Sequence, residues 1–554
     1  MGPSNRRSGP RTWLWLLLLA VAVVTVYHRA LGHQFLNWDD TAQIHQNPHL
    51  QHPGMFWTRP FQGIYMPLTY SAWSLLSLTV GLQPAPFHLL NLLFHLGSTW
   101  LVLLLLRELL GPGHGDRAQR QLMVGTGAGA FLFALHPLQV EPVVWITSLK
   151  DTGSGCLALL AMLCYLRFTR SQDRLARRNW YTSGLLAFCG AMLFQPAAVS
   201  ALLMLAVLGW LAVRRPWRRL ALELSPWAAV AVPPLLVNLL SQSGLKMFYS
   251  TPLHLRPLLA LDSLGFYLSK LVLPVDLVPA YGRSARLVVQ SGQIYTGWIP
   301  AAAVLALAIV LRRRLPALLL GLLLMISGIL LVSGLRCFAA QDNTTVHDRY
   351  MYLAMLGPAY TLAWLLARAR PGQFRIGMVL SLVALHALGF RSAAQVRHWK
   401  TDATLWAYTL QKRPHSPVAL LNMGLERSRA GDDKQALELY QRAARLSPHD
   451  PEVRNNLGAQ YARQGDYAAA ETELRAALAI DPESAAAHHN LGKLHLKRKE
   501  WCPAIAHLTR ALRIAPRHRE ASIDLGAALL GLGDHEACID HERRVTTERS
   551  DPEK

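Results

Sequence analysis

Apolar and polar positions divide this chain near residue 390. Before that point, long apolar runs alternate with short polar gaps; beyond it, apolar positions recur singly at helical spacing among charged residues. Runs at 12–31, 88–106, 122–138, 152–169, 180–197, 198–213, 226–241, 298–311, 316–334, 350–367 and 376–392 each predict a helix on the scale of a bilayer crossing. Two further runs, 66–82 and 258–273, are apolar but punctuated by Pro, Ser and Thr. The first run follows a basic N-terminus and lacks a small-x-small exit, so it reads as an uncleaved anchor rather than a signal peptide. The expected fold is all-α, a polytopic membrane helical body over 1–392 followed by a helical arm.

The arm is periodic. Pro414, Pro448, Pro482 and Pro516 stand thirty-four residues apart, and Gly424, Gly458, Gly492 and Gly526 keep the same step. Small residues recur at Ala436, Ala470, Ala504 and Cys538, and again at Ala443, Ala477 and Ala511, where paired helices must approach closely. Leucine-type residues recur at Met423, Leu457, Leu491 and Leu525, and Gly431-Asp432, Gly465-Asp466 and Gly533-Asp534 mark turns between helices. Four such copies over 414–549, with a tail at 550–554, resemble the tetratricopeptide repeat (TPR), an α-solenoid. Residues 393–413 form a linker in which Trp399-x-x-Asp402-x-x-Leu405-Trp406 reads as a half repeat. Arms of this kind curve into a groove that holds an extended peptide or partner protein; an inert spacer is the alternative.

Composition agrees with a membrane body. The chain of 554 residues is 52% hydrophobic with positive mean hydropathy. Its net charge of +22 does not point to nucleic acid, because the Arg clusters sit in short gaps between apolar runs. Arg6, Arg7 and Arg11, then Arg214, Arg215, Arg218 and Arg219, then Arg312 to Arg314 are such clusters. If 66–82 and 258–273 lie at the outer face without crossing, every remaining cluster falls on the cytoplasmic side. That gives eleven spans and a cytoplasmic N-terminus. The 32–87 loop, the 136–151 turn, the 242–297 loop, the 335–349 turn and the repeat arm then share the outer face. Cys156, Cys164 and Cys189 lie in apolar runs, and no disulfide or metal-ligand spacing is present.

Polar groups on that outer face are the candidates for chemistry, since they are expensive beside a bilayer. In Trp38-Asp39-Asp40, adjacent carboxylates repel, which suits a general base or a metal ligand. A helix N-cap at Asp40 is the competing reading. His136-Pro137-Leu138-Gln139-Val140-Glu141 and Lys150-Asp151 bring four ionisable groups into one short turn. His347-Asp348-Arg349-Tyr350-Met351-Tyr352 places an Arg at a span entry, where it either holds a phosphate or snorkels in an aromatic belt.

Taken together and in order, these groups carry a family resemblance. Asn37-Trp38-Asp39-Asp40, Tyr65-Met66-Pro67-Leu68-Thr69, His88 to His95, His136 to Trp145, Lys150-Asp151 and Asp348 to Leu353 resemble the transmembrane-and-TPR proteins. These are the animal O-mannosyltransferases of the endoplasmic reticulum and bacterial relatives of unassigned substrate, and the likeness covers nearly the whole chain. The resemblance implies a GT-C-type fold and inverting transfer of a mannose-like sugar from a polyprenyl-phosphate donor to a protein hydroxyl. It implies a base at Asp39 or Asp40, with Asp39 ahead. Arg349 and then Lys150, with Tyr350 and Tyr352, would bind the donor phosphate. Glu141, Asp151 and His136 would orient the acceptor or share a divalent cation. The chain departs from its relatives in two places: Phe194-Gln195-Pro196 stands where they tend to carry Lys, and Met66 where they often carry His or Arg.

Two other classes compete: a non-enzymatic membrane scaffold whose repeats recruit partners, and a lipid-linked-oligosaccharide ligase or flippase. Convergence of Asp39, Asp40, Glu141, Asp151 and Arg349 about one pocket separates an enzyme from a scaffold. The expected setting is a bacterial inner membrane with a periplasmic arm, or an endoplasmic reticulum membrane with a luminal arm. In the latter, Asn343-Thr344-Thr345 would be a glycan acceptor.

Overall fold

A computed structural model describes residues 11–47, 49–113, 115–242, 251–335, 344–516 and 518–532. Arg6, Arg7, Asn343, the Gly533-Asp534 turn, Cys538 and the tail lie outside these residues. The described residues are helical apart from loops, and their sole β feature is an isolated bridge between Phe61 and Ile64. They fall into two compact units, residues 1–405 and 406–554.

The first unit is a multi-pass membrane protein. Among its described residues, six helices are long and apolar enough to cross a bilayer: Thr12–Gly32, Pro84–Leu110, Ile146–Arg170, Trp217–Ser241, Gln293–Arg313 and Pro371–Trp399. Two bent pairs, Asp116–Leu135 with Pro137–Val144 and Asp348–Ala354 with Leu356–Ala367, raise the number to eight if each is one span. The eleven expected runs all fall on helical segments, but length and composition do not qualify all eleven as crossings. The helix Arg174–Phe194 carries Arg174, Arg177 and Arg178 in its first turns, and Pro196–Ala212 and Pro316–Val332 are short. Outward faces are apolar as lipid requires: Leu222, Val310 and Phe390 are each at least 75% exposed. The punctuated run at 66–82 forms a 14-residue helix, Pro67–Val80, started by Pro67 and stopped by Gly81 at φ 71°. Its buried side, Tyr70 and Trp73, packs on Phe56, Phe87 and Ile146, whereas Leu75 and Leu78 are exposed. The run at 258–273 becomes Arg256–Val272.

In the second unit, helices alternate at the expected period: Pro417–Arg429, Asp433–Leu446, Pro451–Arg463, Tyr467–Ile480, Ala485–Lys497, Trp501–Ile514 and Arg519–Leu532. The Gly-Asp turns work as pairs. Gly431 and Gly465 take φ of 81° and 85°, and the Asp that follows accepts a backbone N–H of the next helix, Gln435 N at 3.1 Å and Ala469 N at 3.0 Å. The third repeat lacks this device, so Lys499 adopts φ 59° and Glu500 makes no side-chain cap. The glycine ladder exists for close approach. A Cβ at Gly424, Gly458 or Gly492 would stand 2.6 to 2.7 Å from Tyr440, Leu474 or Leu508. No spacing in the sequence pairs Cys502, yet it is disulfide-bonded.

Candidate functional site

Three loops of the first unit meet at Trp145. Trp38 stacks on its ring at 4.7 Å and 12°, the Arg349 guanidinium lies 5.1 Å from its centroid, and Lys150 Nζ lies 5.9 Å away. Two cations beside one indole ring are held by the ring quadrupole and by one acid apiece. Arg349 Nη1 donates to Glu141 Oε1 at 2.6 Å and also contacts His347 Nδ1 at 3.0 Å. The other Glu141 oxygen accepts the Asp348 N–H at 3.1 Å, so a fully buried carboxylate is satisfied on both sides. Lys150 Nζ stands 3.9 Å from Asp39 Oδ2.

The two adjacent aspartates have opposite environments. Asp40 is buried, and its oxygens accept Leu36 N at 2.8 Å and Thr147 N at 3.1 Å, which ties the first loop to the 146–148 turn. Asp39 keeps 38% of its side chain exposed. Burial pushes the Asp40 carboxyl up to about 7, against the lowering effect of the Leu36 and Thr147 hydrogen bonds. A carboxyl raised in the folded state makes the protein most stable below the ordinary carboxylate range, and that stability is lost as pH rises through about 7. The expected outcome is a fall in thermal unfolding temperature between about pH 4 and 7 that levels off above pH 7, worth at most about 4 kcal/mol across that window. Asp40→Asn should flatten that fall, and an unchanged pH slope in this variant would remove the assignment.

A cavity of about 510 Å³ opens beside the paired cations. Lys150, Arg349, Tyr350, Gln195 and Asn238 supply its polar wall, and Met66, Leu202, Leu203, Leu235 and Leu331 its apolar one. Both departures from the family pattern, Met66 and Gln195, therefore border this space. A smaller cavity of about 50 Å³ shares Gln195, Arg349 and Tyr350 and adds Asp151 and Tyr352. The volume is that of a small-ligand site, and its lining combines an apolar wall with two cations.

Of the residues singled out in the sequence, Arg349, Lys150 and Tyr350 line the larger cavity, and Asp151 and Tyr352 the smaller. Asp39 joins through Lys150, and Glu141 through Arg349. Tyr352 OH lies 3.2 Å from His95 Nδ1. His136 is the exception. Its Nδ1 accepts Leu138 N at 3.2 Å and its Nε2 faces Leu271 O at 3.1 Å, so both nitrogens serve backbone and none is left for acceptor or metal. Among the described residues, no three His, Cys, Asp or Glu side chains group as a metal site. Glu141, with both oxygens engaged by protein donors, does not fit a divalent cation shared with Asp39 and Asp40.

Sequence reasoning missed three partners. Asn238 clasps the Tyr65 backbone, accepting its N–H at 3.0 Å and donating to its carbonyl at 3.3 Å; a lone amide late in an apolar run was the only signal. Tyr281 donates to Asp348 Oδ1 at 2.7 Å. Tyr267 accepts the His347 N–H and donates to the His347 carbonyl, both at 3.0 Å. Nothing in the local sequence of the 242–297 loop marks either tyrosine.

Fold and site together define a multi-pass membrane protein with a buried ion-paired centre and a TPR arm. Comparison with known proteins agrees with the resemblance carried by the motifs. The TPR repeat model matches residues 424–465 and 458–499. The chain is similar to protein O-mannosyl-transferase TMTC2 of Homo sapiens, 32% identical over 145 residues. It is also similar to protein O-mannosyl-transferase Tmtc1 of Drosophila melanogaster, 33% identical over 156 residues. These stretches are 26% and 27% of this chain, and each spans only 16% of the relative's own length. Among solved structures, ArnT from Cupriavidus metallidurans bound to undecaprenyl phosphate aligns over 82% of this chain and 80% of that one. Its identity is 14% and its TM-score 0.37, too low to support an argument.

Proposed function

We propose that this protein is an integral-membrane glycosyltransferase of GT-C type. It would transfer a mannose-like sugar, with inversion, from a polyprenyl-phosphate donor to a hydroxyl of a protein acceptor bound by the TPR arm. The observation that carries this reading is the cavity itself. Its apolar lining suits a prenyl chain, and Lys150 and Arg349 in the same lining supply the cations that a lipid phosphate would need. The names of the curated relatives support the same chemistry. A disulfide at Cys502 suits an arm in an oxidising, exoplasmic compartment.

In this mechanism the acceptor O–H bond breaks and its proton passes to the Asp39 carboxylate. The acceptor oxygen attacks the anomeric carbon from the face opposite the phosphate. The bond from that carbon to the phosphate oxygen breaks as the glycosidic bond forms, and its electron pair leaves with the polyprenyl phosphate. Arg349 and Lys150 offset the charge that develops on the leaving phosphate. Asp40 holds the loop and takes no part in proton transfer.

Mass spectrometry of exoplasmic proteins from cells lacking this gene tests the reading. Serine or threonine sites should lose a hexose, and the wild-type gene should restore it while an Asp39→Asn copy does not. Unchanged glycosylation, or full restoration by Asp39→Asn, would contradict it.

A further inference from the structure

The loop that carries Asp39 is held from a distant part of the first unit. Asn37 N–H is shared between both carboxylate oxygens of Asp402, each at 2.9 Å. Two residues earlier along that segment, the Lys400 carbonyl accepts Gln34 N–H at 3.0 Å. One residue before that, Trp399 lies 6.2 Å from the Trp145 ring on which Trp38 stacks. Three contacts thus fall on one turn of chain, residues 399–402: two hold the Gln34 and Asn37 backbone ahead of Asp39, and the third meets the ring on which Trp38 stacks. Other anchors of the loop are internal, with Thr41 Oγ1 donating to Asn37 Oδ1 at 2.8 Å and Leu36 N to Asp40, or run to the 145–147 segment, through the Trp38–Trp145 stack and the Thr147 N–H on Asp40. These contacts fix the backbone that leads into Asp39, whose carboxylate then reaches Lys150 at 3.9 Å.

The sequence gives Asp402 another task as well, since it opens the helix Asp402–Lys412 with which the repeat pattern begins. A carboxylate that only served its helix would turn toward that helix's own N–H groups. Here both oxygens also reach a backbone donor 365 positions away, a charge-assisted bond.

We infer that Asp402 is a positioning residue for sugar transfer, fixing the Asn37–Trp38 backbone so that the Asp39 carboxylate meets the acceptor hydroxyl. This rests on the reading of Asp39 as the base. Asp402 is not among the residues that line either cavity, so its loss is expected to act on the geometry of proton transfer and to leave donor binding alone. A displacement on the order of 1 Å at a reacting group costs up to about 100-fold in rate.

The test uses the full chain in lipid nanodiscs, with polyprenyl-phosphate mannose as donor and a Ser/Thr-rich peptide as acceptor. Asp402→Ala should lower kcat by about tenfold to 100-fold while KM for the donor stays within twofold. Asp402→Asn keeps one side-chain acceptor for Asn37 N–H and should recover kcat to within about threefold of wild type. The inference is overturned if Asp402→Ala keeps wild-type kcat. It is equally overturned if the donor KM rises in step with the loss, or if both variants lose activity only in proportion to folded protein. Asp39→Asn run alongside separates the two levels. An inactive Asp39→Asn with a fully active Asp402→Ala sinks the positioning role alone, whereas a fully active Asp39→Asn sinks the base assignment beneath it.

Discussion

Arg349→Ala should destabilise the membrane unit by about 3–5 kcal/mol and abolish sugar transfer. The pair it breaks is short and buried, with Arg349 Nη1 and Glu141 Oε1 at 2.6 Å and Glu141 only 1% exposed. Taking away the guanidinium leaves that buried carboxylate with the Asp348 amide but without its cation. Stability and chemistry come apart in a double variant. Glu141→Gln combined with Arg349→Gln leaves two neutral amides that can hydrogen-bond, so thermal unfolding in detergent should recover most of the lost stability. Transfer should stay severely impaired, because the cavity then keeps only Lys150 of the two cations that meet the phosphate. Recovery of transfer together with stability would make Arg349 a structural residue only.

The second large effect runs the other way, on rate and not on stability. Asp39→Asn should reduce transfer by about 10²–10⁴-fold, the usual contribution of a general base. Its ion pair with Lys150 is long, at 3.9 Å, and the carboxylate is 38% exposed, so its loss should change stability by less than about 1 kcal/mol. Donor binding should persist, since Lys150 and Arg349 are untouched. Residual transfer within tenfold of wild type would remove Asp39 from the reaction.

How much of this was legible in the chain depends on how local the cause is. The repeats could be read because each turn is written in adjacent residues: Gly431 supplies the left-handed φ and Asp432 caps the next helix. Where that dipeptide is missing, at Lys499-Glu500, the turn is held by Glu500 N–H on the His495 carbonyl at 2.9 Å and by the Glu500 carboxylate on His495 Nδ1 at 2.6 Å, a pairing the repeat pattern does not announce. The ordered motifs gave the participants of the site, because ionisable groups stand out against apolar flanks. Their division of labour was not legible. Asp39 and Asp40 are chemically identical neighbours, and what separates them is the Thr147 amide, 107 positions away, which claims one and not the other. His136 had the same signal as Glu141, yet the Leu271 carbonyl engages it. Crossings were harder to count than helices, since a bend near His136 or Met355 turns one apolar run into two short helices.

Transfer by the purified full-length protein tests the central claim most directly. Wild-type protein in lipid nanodiscs, given polyprenyl-phosphate mannose and an exoplasmic acceptor protein, should add hexose to serine or threonine, as read by intact mass. The Asp39→Asn protein, still folded and still binding the donor lipid, should add none. Failure of the wild-type protein to move sugar from the lipid phosphate to any protein hydroxyl, or equal transfer by Asp39→Asn, would contradict the account.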